Sequence, residues 1–172
     1  MSDPDYSDAA VVALGGNLPG AYASSAALLD AALARLAQER LTVLAWSDWW
    51  VSAAWPDASA LPFMNGVALV KTHLSPLGLL SRLRAIECAF GREEGLRNAP
   101  RTLDLDLIAY GRRVLETPDL TLPHPRASER LFVMGPLAQV APGWTHPVSG
   151  LTATQMAAMA TVGCDAAPLK GA

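Results

Sequence analysis

Apolar and polar positions alternate in blocks along this chain, and the period of each block predicts an element. Residues 9–14 form a short, unbroken apolar run, the pattern of a buried strand, and the glycine-rich stretch 15–20 reads as the turn that ends it. Leu29, Leu33 and Leu36 then keep helical spacing among many alanines, which predicts a helix ending near residues 38–40. Residues 41–51 read as a second strand. The stretch 52–62, rich in Ala, Pro, Asp and Ser, fits neither period and is expected to be a mobile loop before 63–72 returns to strand. Ser75 followed by Pro76 is a helix start, and Leu79, Leu83, Ile86 and Phe90 make an apolar stripe that Gly91 stops. After a second loop at 92–99 comes another strand, a turn at Tyr110-Gly111-Arg112, and a short return strand at Val114 and Leu115. Helices are predicted at 131–140 and 151–159. This order predicts an α+β, ferredoxin-like sandwich, with helices packed on one face of an antiparallel sheet. A single domain would span 9–160, between a flexible N-terminal tail at 1–8 and a loose C-terminal tail at 161–172.

One strand breaks the pattern of an ordinary core. In Thr102-Leu103-Asp104-Leu105-Asp106-Leu107-Ile108 the three leucines share one face, while Asp104 and Asp106 share the other with Thr102 and Ile108. Two like charges side by side repel unless a cation lies between them, and magnesium favours one or two carboxylates plus phosphate oxygens. A metal site is the economical reading. A solvated sheet face, or carboxylates held by neighbouring arginines, would give the same spacing. Asp-x-Asp also serves metal-dependent nucleotide-sugar transferases, so the pair alone names no reaction.

Charge narrows the choice of ligand. A formal net charge of −3 argues against a general nucleic-acid binder. Nine of the eleven arginines nevertheless fall between Arg82 and Arg130, and guanidinium forks match phosphate oxygens in pairs. Surface ion pairs account for part of them, Arg112 and Arg113 included. No Walker-type loop is present, so bound phosphates would rest on arginines and metal. The polar, acidic start and the lack of a long apolar run predict neither a signal peptide nor a membrane span. Cys88 and Cys164 have no paired-ligand spacing, which fits a reducing cytoplasm.

Several segments together resemble the hydroxymethyldihydropterin pyrophosphokinases of folate biosynthesis. They are Leu14-Gly15-Gly16-Asn17-Leu18, Phe63-Met64-Asn65, Glu87 with Gly91-Arg92, Pro100-Arg101-Thr102-Leu103-Asp104-Leu105-Asp106, and Leu122-Pro123-His124-Pro125-Arg126 with Glu129-Arg130 and Phe132. The resemblance runs in order over residues 9–160, and its most specific parts are the Arg-Thr-Leu-Asp-Leu-Asp and Leu-Pro-His-Pro-Arg runs. It implies transfer of a pyrophosphoryl group from ATP to the hydroxymethyl of a reduced pterin, with release of AMP. By matching position, Asp104 and Asp106 would hold two magnesium ions, with manganese an alternative. Arg92 and Arg101 would serve catalysis, and with Arg97, His124 and Arg130 would face ATP. Phe63 and Phe132 would sandwich the pterin, Asn65 would read its amide edge, and Ser52, Ala53 and Trp55 would supply loop contacts. The implied partners are ATP and reduced pterin, with no nucleic acid and no membrane, for a monomer.

The chain departs from the family pattern in two places. Gly16 stands where serine is usual. The loop 92–98 carries Glu93 and Glu94 where many members are basic, and Asn98 where some carry tryptophan. A noncatalytic pterin- or nucleotide-binding module on the same scaffold is the alternative, since one fold hosts many functions. A nucleotide-sugar transferase would need a larger nucleotide-binding domain than 172 residues leave room for.

Overall fold

The computed structural model describes residues 5–54, 57–91 and 102–170. Its strands are β1 (Ala10–Gly16), β2 (Thr42–Trp46), β3 (Trp50–Ser52), β4 (Phe63–Lys71), β5 (Asp104–Tyr110), β6 (Leu115–Glu116), β7 (Thr121–Leu122) and β8 (Ala167–Pro168). The main sheet runs β5-β1-β4-β3-β8, with β2 also paired to β4, and every pairing in it is antiparallel. Four helices pack on it: α1 (Ser25–Gln38), α2 (Pro76–Ala89), α3 (Leu131–Val140) and α4 (Ala153–Met159). Taking β2 and β3 as one interrupted strand, this is the ferredoxin-like order that the alternation of elements predicts.

Both faces of the sheet are covered by helices, rather than one. The unbroken apolar run of β1 is the reason, because successive side chains leave on opposite sides. Val12 and Leu14 enter a core with Leu28, Leu29 and Leu36 of α1 and Leu79, Leu83 and Ile86 of α2. Val11 enters a second core with Val133, Met134 and Leu137 of α3 and Met156 of α4. α2 begins at Pro76 after Ser75, as the sequence indicates, and α1 and α4 are capped in the same way. Ser24 Oγ accepts the N–H of Ala27 and Ser75 Oγ that of Gly78, both at 3.1 Å, and Thr152 with Gln155 forms a capping box on α4.

Three local readings change. Gly15 and Gly16 continue β1 instead of ending it, paired with Asn65 and Met64 of β4. The expected strand 41–51 is split, because Ser47 Oγ accepts the Val67 N–H at 3.0 Å and so takes a place that the backbone of a continuous strand would occupy. Beyond the break, Trp49 lies over Gly66, where a β-carbon would come within 2.5 Å of its ring. Trp50 lies likewise over Gly135 of α3, at 2.6 Å, and its indole N–H donates to Gln139. Val114 stays exposed, and Leu115 pairs with Leu122 in a separate β6–β7 hairpin.

The segment 161–170, read from the sequence as part of a loose tail, is pinned to the body of the protein. Its β8 pairs with β3, and the Leu169 N–H donates to the Trp49 carbonyl at 2.7 Å. Among the described residues no helix is long and apolar enough to cross a membrane.

Candidate active site

Two rows of residues running across the sheet make the floor of the site. Asn65 of β4 stands opposite Gly15 of β1, and Gly15 opposite Asp104 of β5; one step along, Val67, Ala13 and Asp106 are aligned in the same way. Paired antiparallel residues project to the same face, so Asn65, Asp104 and Asp106 share the α3/α4 side. With strands about 4.8 Å apart, Asn65 and Asp104 are separated by about 10 Å of backbone. The residues between them are glycine and alanine. A β-carbon on Gly15 would sit 3.5 Å from Asn65 Oδ1, so the absent side chain leaves a shallow trough between the amide and the carboxylates.

Asn65 is buried and held from beside it. Its Nδ2 donates to Ser52 Oγ at 3.0 Å and, at 3.4 Å, to the Phe63 carbonyl. Its Oδ1 is thereby turned toward Gly15. Ser52, expected to offer backbone contacts, uses its hydroxyl to orient this amide, and Ala53 donates its N–H to Asp165 Oδ2 at 2.5 Å. Phe63 lies two residues before Asn65 on the same face and is partly buried.

β5 is the edge strand, and two devices secure its outer side. The Leu105 N–H, between the two aspartates, donates to Glu87 Oε1 of α2 at 2.6 Å, and Glu87 is only 3% exposed. A buried carboxylate thus replaces the missing neighbouring strand. In the sequence, Glu87 is marked only by the family resemblance. The physical signal was a carboxylate four residues after Leu83 in the apolar stripe of α2. Farther along, the His124 N–H donates to the Ile108 carbonyl at 2.7 Å, which docks the 122–125 turn against β5.

His124 is placed for a defined protonation state. Burial, then the charges of Arg130 and Arg126, push its pKa below the usual histidine value, while Asp104 opposes them. Its Nδ1 accepts the Arg126 N–H at 3.2 Å, so the neutral ring carries its proton on Nε2 and can donate to an anion. Arg130 immediately precedes α3. Its guanidinium lies 5.7 Å from the centroid of the Phe132 ring, a cation–π contact.

The structure therefore brings Asp104, His124, Arg130 and Phe132 together on one side of the sheet, with Asp106, Asn65, Ser52 and Phe63 along the same face. Arg92, Arg97, Arg101 and Trp55 lie outside the described residues. Among the described residues no group of three or more His, Cys, Asp or Glu side chains is placed to enclose a metal by itself. The two aspartates nevertheless fit a hard divalent cation, which completes its shell with phosphate oxygens and water.

The family model for 7,8-dihydro-6-hydroxymethylpterin-pyrophosphokinase (HPPK) matches residues 11–142. The chain belongs to the HPPK family. A Synechocystis relative named 2-amino-4-hydroxy-6-hydroxymethyldihydropteridine pyrophosphokinase is 42% identical over 158 residues, covering 89% of this chain and 76% of its own. A Pseudomonas aeruginosa protein of the same name is 43% identical over 136 residues, covering 79% and 82%. Among solved structures, Plasmodium falciparum HPPK-DHPS with pteroate superposes with a TM-score of 0.69 at 13% identity, over 87% of this chain and 42% of that one. That likeness supports the HPPK fold; the Asp104–Asp106 strand and the 122–126 turn lie inside the matched family region.

Proposed function

We infer that the protein transfers a pyrophosphoryl group from ATP to the hydroxymethyl group of 6-hydroxymethyl-7,8-dihydropterin, releasing AMP, a step of folate biosynthesis. The observation that carries this reading is the cross-sheet row Asn65–Gly15–Asp104, which sets a buried amide and a carboxylate pair at the two ends of one trough. A flat heterocycle read by Asn65 would extend along that trough and bring its hydroxymethyl arm toward the aspartates.

The pterin would lie between Phe63 and Phe132, where stacking replaces water contact, with Asn65 Oδ1 accepting an N–H from its amide edge. Ser52 fixes that amide, and Ala53 and Trp55 would supply loop contacts to the pterin. His124 Nε2–H and the guanidinium groups of Arg92, Arg97, Arg101 and Arg130 would hold the phosphates of ATP in line with the pterin oxygen. Asp104 and Asp106 would hold two magnesium ions, with manganese an alternative, whose charge would neutralise the phosphates and polarise the attacking hydroxyl. Asp106 takes the hydroxyl proton as the O–Pβ bond forms. The bond between Pβ and the bridging oxygen breaks, and its electrons leave on AMP. The partners are small molecules, ATP and reduced pterin, for a monomer acting in the cytoplasm; Cys88 and Cys164 are exposed and unpaired, as a reducing compartment allows.

Incubation with ATP, magnesium and 6-hydroxymethyl-7,8-dihydropterin tests the reaction. AMP that appears only when pterin is present supports it. ADP instead of AMP, or no turnover when both ligands bind, overturns it.

A further inference from the structure

The residues assigned to the pterin belong to two separate segments, 52–65 of the β3–β4 region and 130–132 at the start of α3. Trp50, just before the first segment, packs over Gly135 of α3 and sets the general spacing of the two. A third segment touches both. The Val162 N–H donates to the Glu129 carbonyl at 2.9 Å, and the Leu131 N–H returns to the Val162 carbonyl at 2.9 Å, so this stretch runs parallel to the chain entering α3. Gly163 follows with φ +66°, and a β-carbon there would fall 2.4 Å from Phe132 Cδ1 and 2.9 Å from Cε1. The phenyl ring thus lies directly against the backbone of Gly163. Two residues later Asp165 Oδ2 accepts the Ala53 N–H, and the chain then enters β8 beside Trp50 and Val51.

We propose that the turn 162–165 is the positioning element of the pterin subsite, with Gly163 setting the Phe132 ring and Asp165 setting the Ser52–Ala53 segment. Both are positioning residues, acting on the ligand through the groups they hold. The proposal rests on the reading of Phe132, Ser52 and Ala53 as pterin contacts. It explains why the turn needs glycine twice over: the backbone conformation is one that L side chains rarely adopt, and the ring occupies the space a side chain would fill. It also gives the exposed Asp165 carboxylate a task, since a backbone N–H at a loop entrance is otherwise satisfied by water. A stacking platform displaced by a fraction of an ångström loses contact with a rigid, flat ligand, whereas phosphates held by several long arginines are less sensitive to the same shift.

The test measures binding of 6-hydroxymethylpterin in the presence of magnesium and a nonhydrolysable ATP analogue, and binding of that analogue alone, on the full chain. Asp165→Ala should weaken pterin binding by about three- to tenfold, the range for one hydrogen bond, with analogue binding unchanged. Asp165→Asn, which keeps an acceptor oxygen, should restore it. Gly163→Ala should weaken pterin binding by about tenfold or more, and the penalty should shrink in a Phe132→Leu background, where no ring meets the new methyl. Equal losses for both ligands in the Asp165 and Gly163 variants, or none for either, overturn the positioning role. If the wild-type chain binds the ATP analogue but not the pterin, the pterin reading beneath the proposal falls and the proposal with it; if Phe132→Ala alone loses pterin, only the positioning role falls.

Discussion

The same strands serve two faces of the sheet, and the faces are built on opposite rules. Toward α1 and α2, Val12 and Leu14 of β1 and Leu105 and Leu107 of β5 interlock with helix leucines, and nearly all of these side chains are fully buried. Toward α3 and α4, the intervening positions at the β1 C-terminal end and the β5 N-terminal end are Ala13, Gly15, Asp104 and Asp106. The large apolar residues of that face, Val11, Leu69 and Ile108, sit farther along and pack under the helices. Alternation within a strand therefore lets one face supply cohesion while the other, at one end, is kept shallow and charged. Two carboxylates are accommodated at that end because the leucines between them are anchored on the reverse side.

The largest expected effect comes from the charged end. Asp104→Ala or Asp106→Ala should lower the rate of AMP formation by about a thousandfold, since each would remove a ligand for the phosphate-neutralising cation, while the protein still unfolds in one cooperative thermal transition. Single-turnover assays paired with thermal denaturation check both parts. Near-normal turnover in both variants would remove the carboxylates from the chemistry. On the cohesive face the expectation is reversed. Leu83→Ala should cost about 2–5 kcal/mol of stability in denaturant titrations, with turnover per folded molecule preserved. A selective loss of turnover there would break the division between faces.

A smaller effect tests the floor between them. Gly15→Ala adds a carbon in ordinary contact range of Asn65 Oδ1 and the Met64 carbonyl, at 3.5 Å from each, and should be nearly silent. Gly15→Val should fill the trough and weaken pterin affinity by about tenfold, measured by titration, while stability changes little. Equal behaviour of the two variants would mean that the trough does not hold the ligand.

The smallest effect is acid sensitivity of the site side. His124 and His146 both have pKa values pushed below the ordinary histidine value of 6.5, first by burial and then by nearby arginines. The unfolded chain therefore binds protons that the folded chain refuses, so stability is fully present above that value and declines as pH falls below it. Denaturant titrations from pH 7 to pH 5 should show this decline, and replacing both histidines with asparagine should flatten it. An unchanged slope would place the acid-sensitive groups elsewhere.

Much of this was legible from residue patterns because periodicity and capping are local. The Ser75-Pro76 start and the leucine stripe of α2, and the alternation that puts Asp104 and Asp106 on one face, need no knowledge of the rest of the fold. Features that depend on a distant neighbour were not legible. Gly15 and Gly16 look like a turn until Asn65 and Met64 are known to lie opposite. Residues 41–51 read as one strand because nothing local shows that the Ser47 hydroxyl will take the Val67 N–H. The segment 161–170, short of large apolar residues, reads as loose because its anchors are backbone hydrogen bonds and one carboxylate, which leave no hydrophobic period.

The split between β2 and β3 has a further use. It leaves two adjacent tryptophans on opposite faces of the sheet, each seated on a glycine. Trp49 donates to Asp30 of α1, and Trp50, in register with Asn65, donates to Gln139 of α3. The protein thus carries a fluorophore on each side of one sheet. The chain has five tryptophans, so each signal is read by difference: the emission lost on replacing Trp50 with phenylalanine reports the moment a ligand enters the trough, and that lost on replacing Trp49 reports whether the supporting face responds.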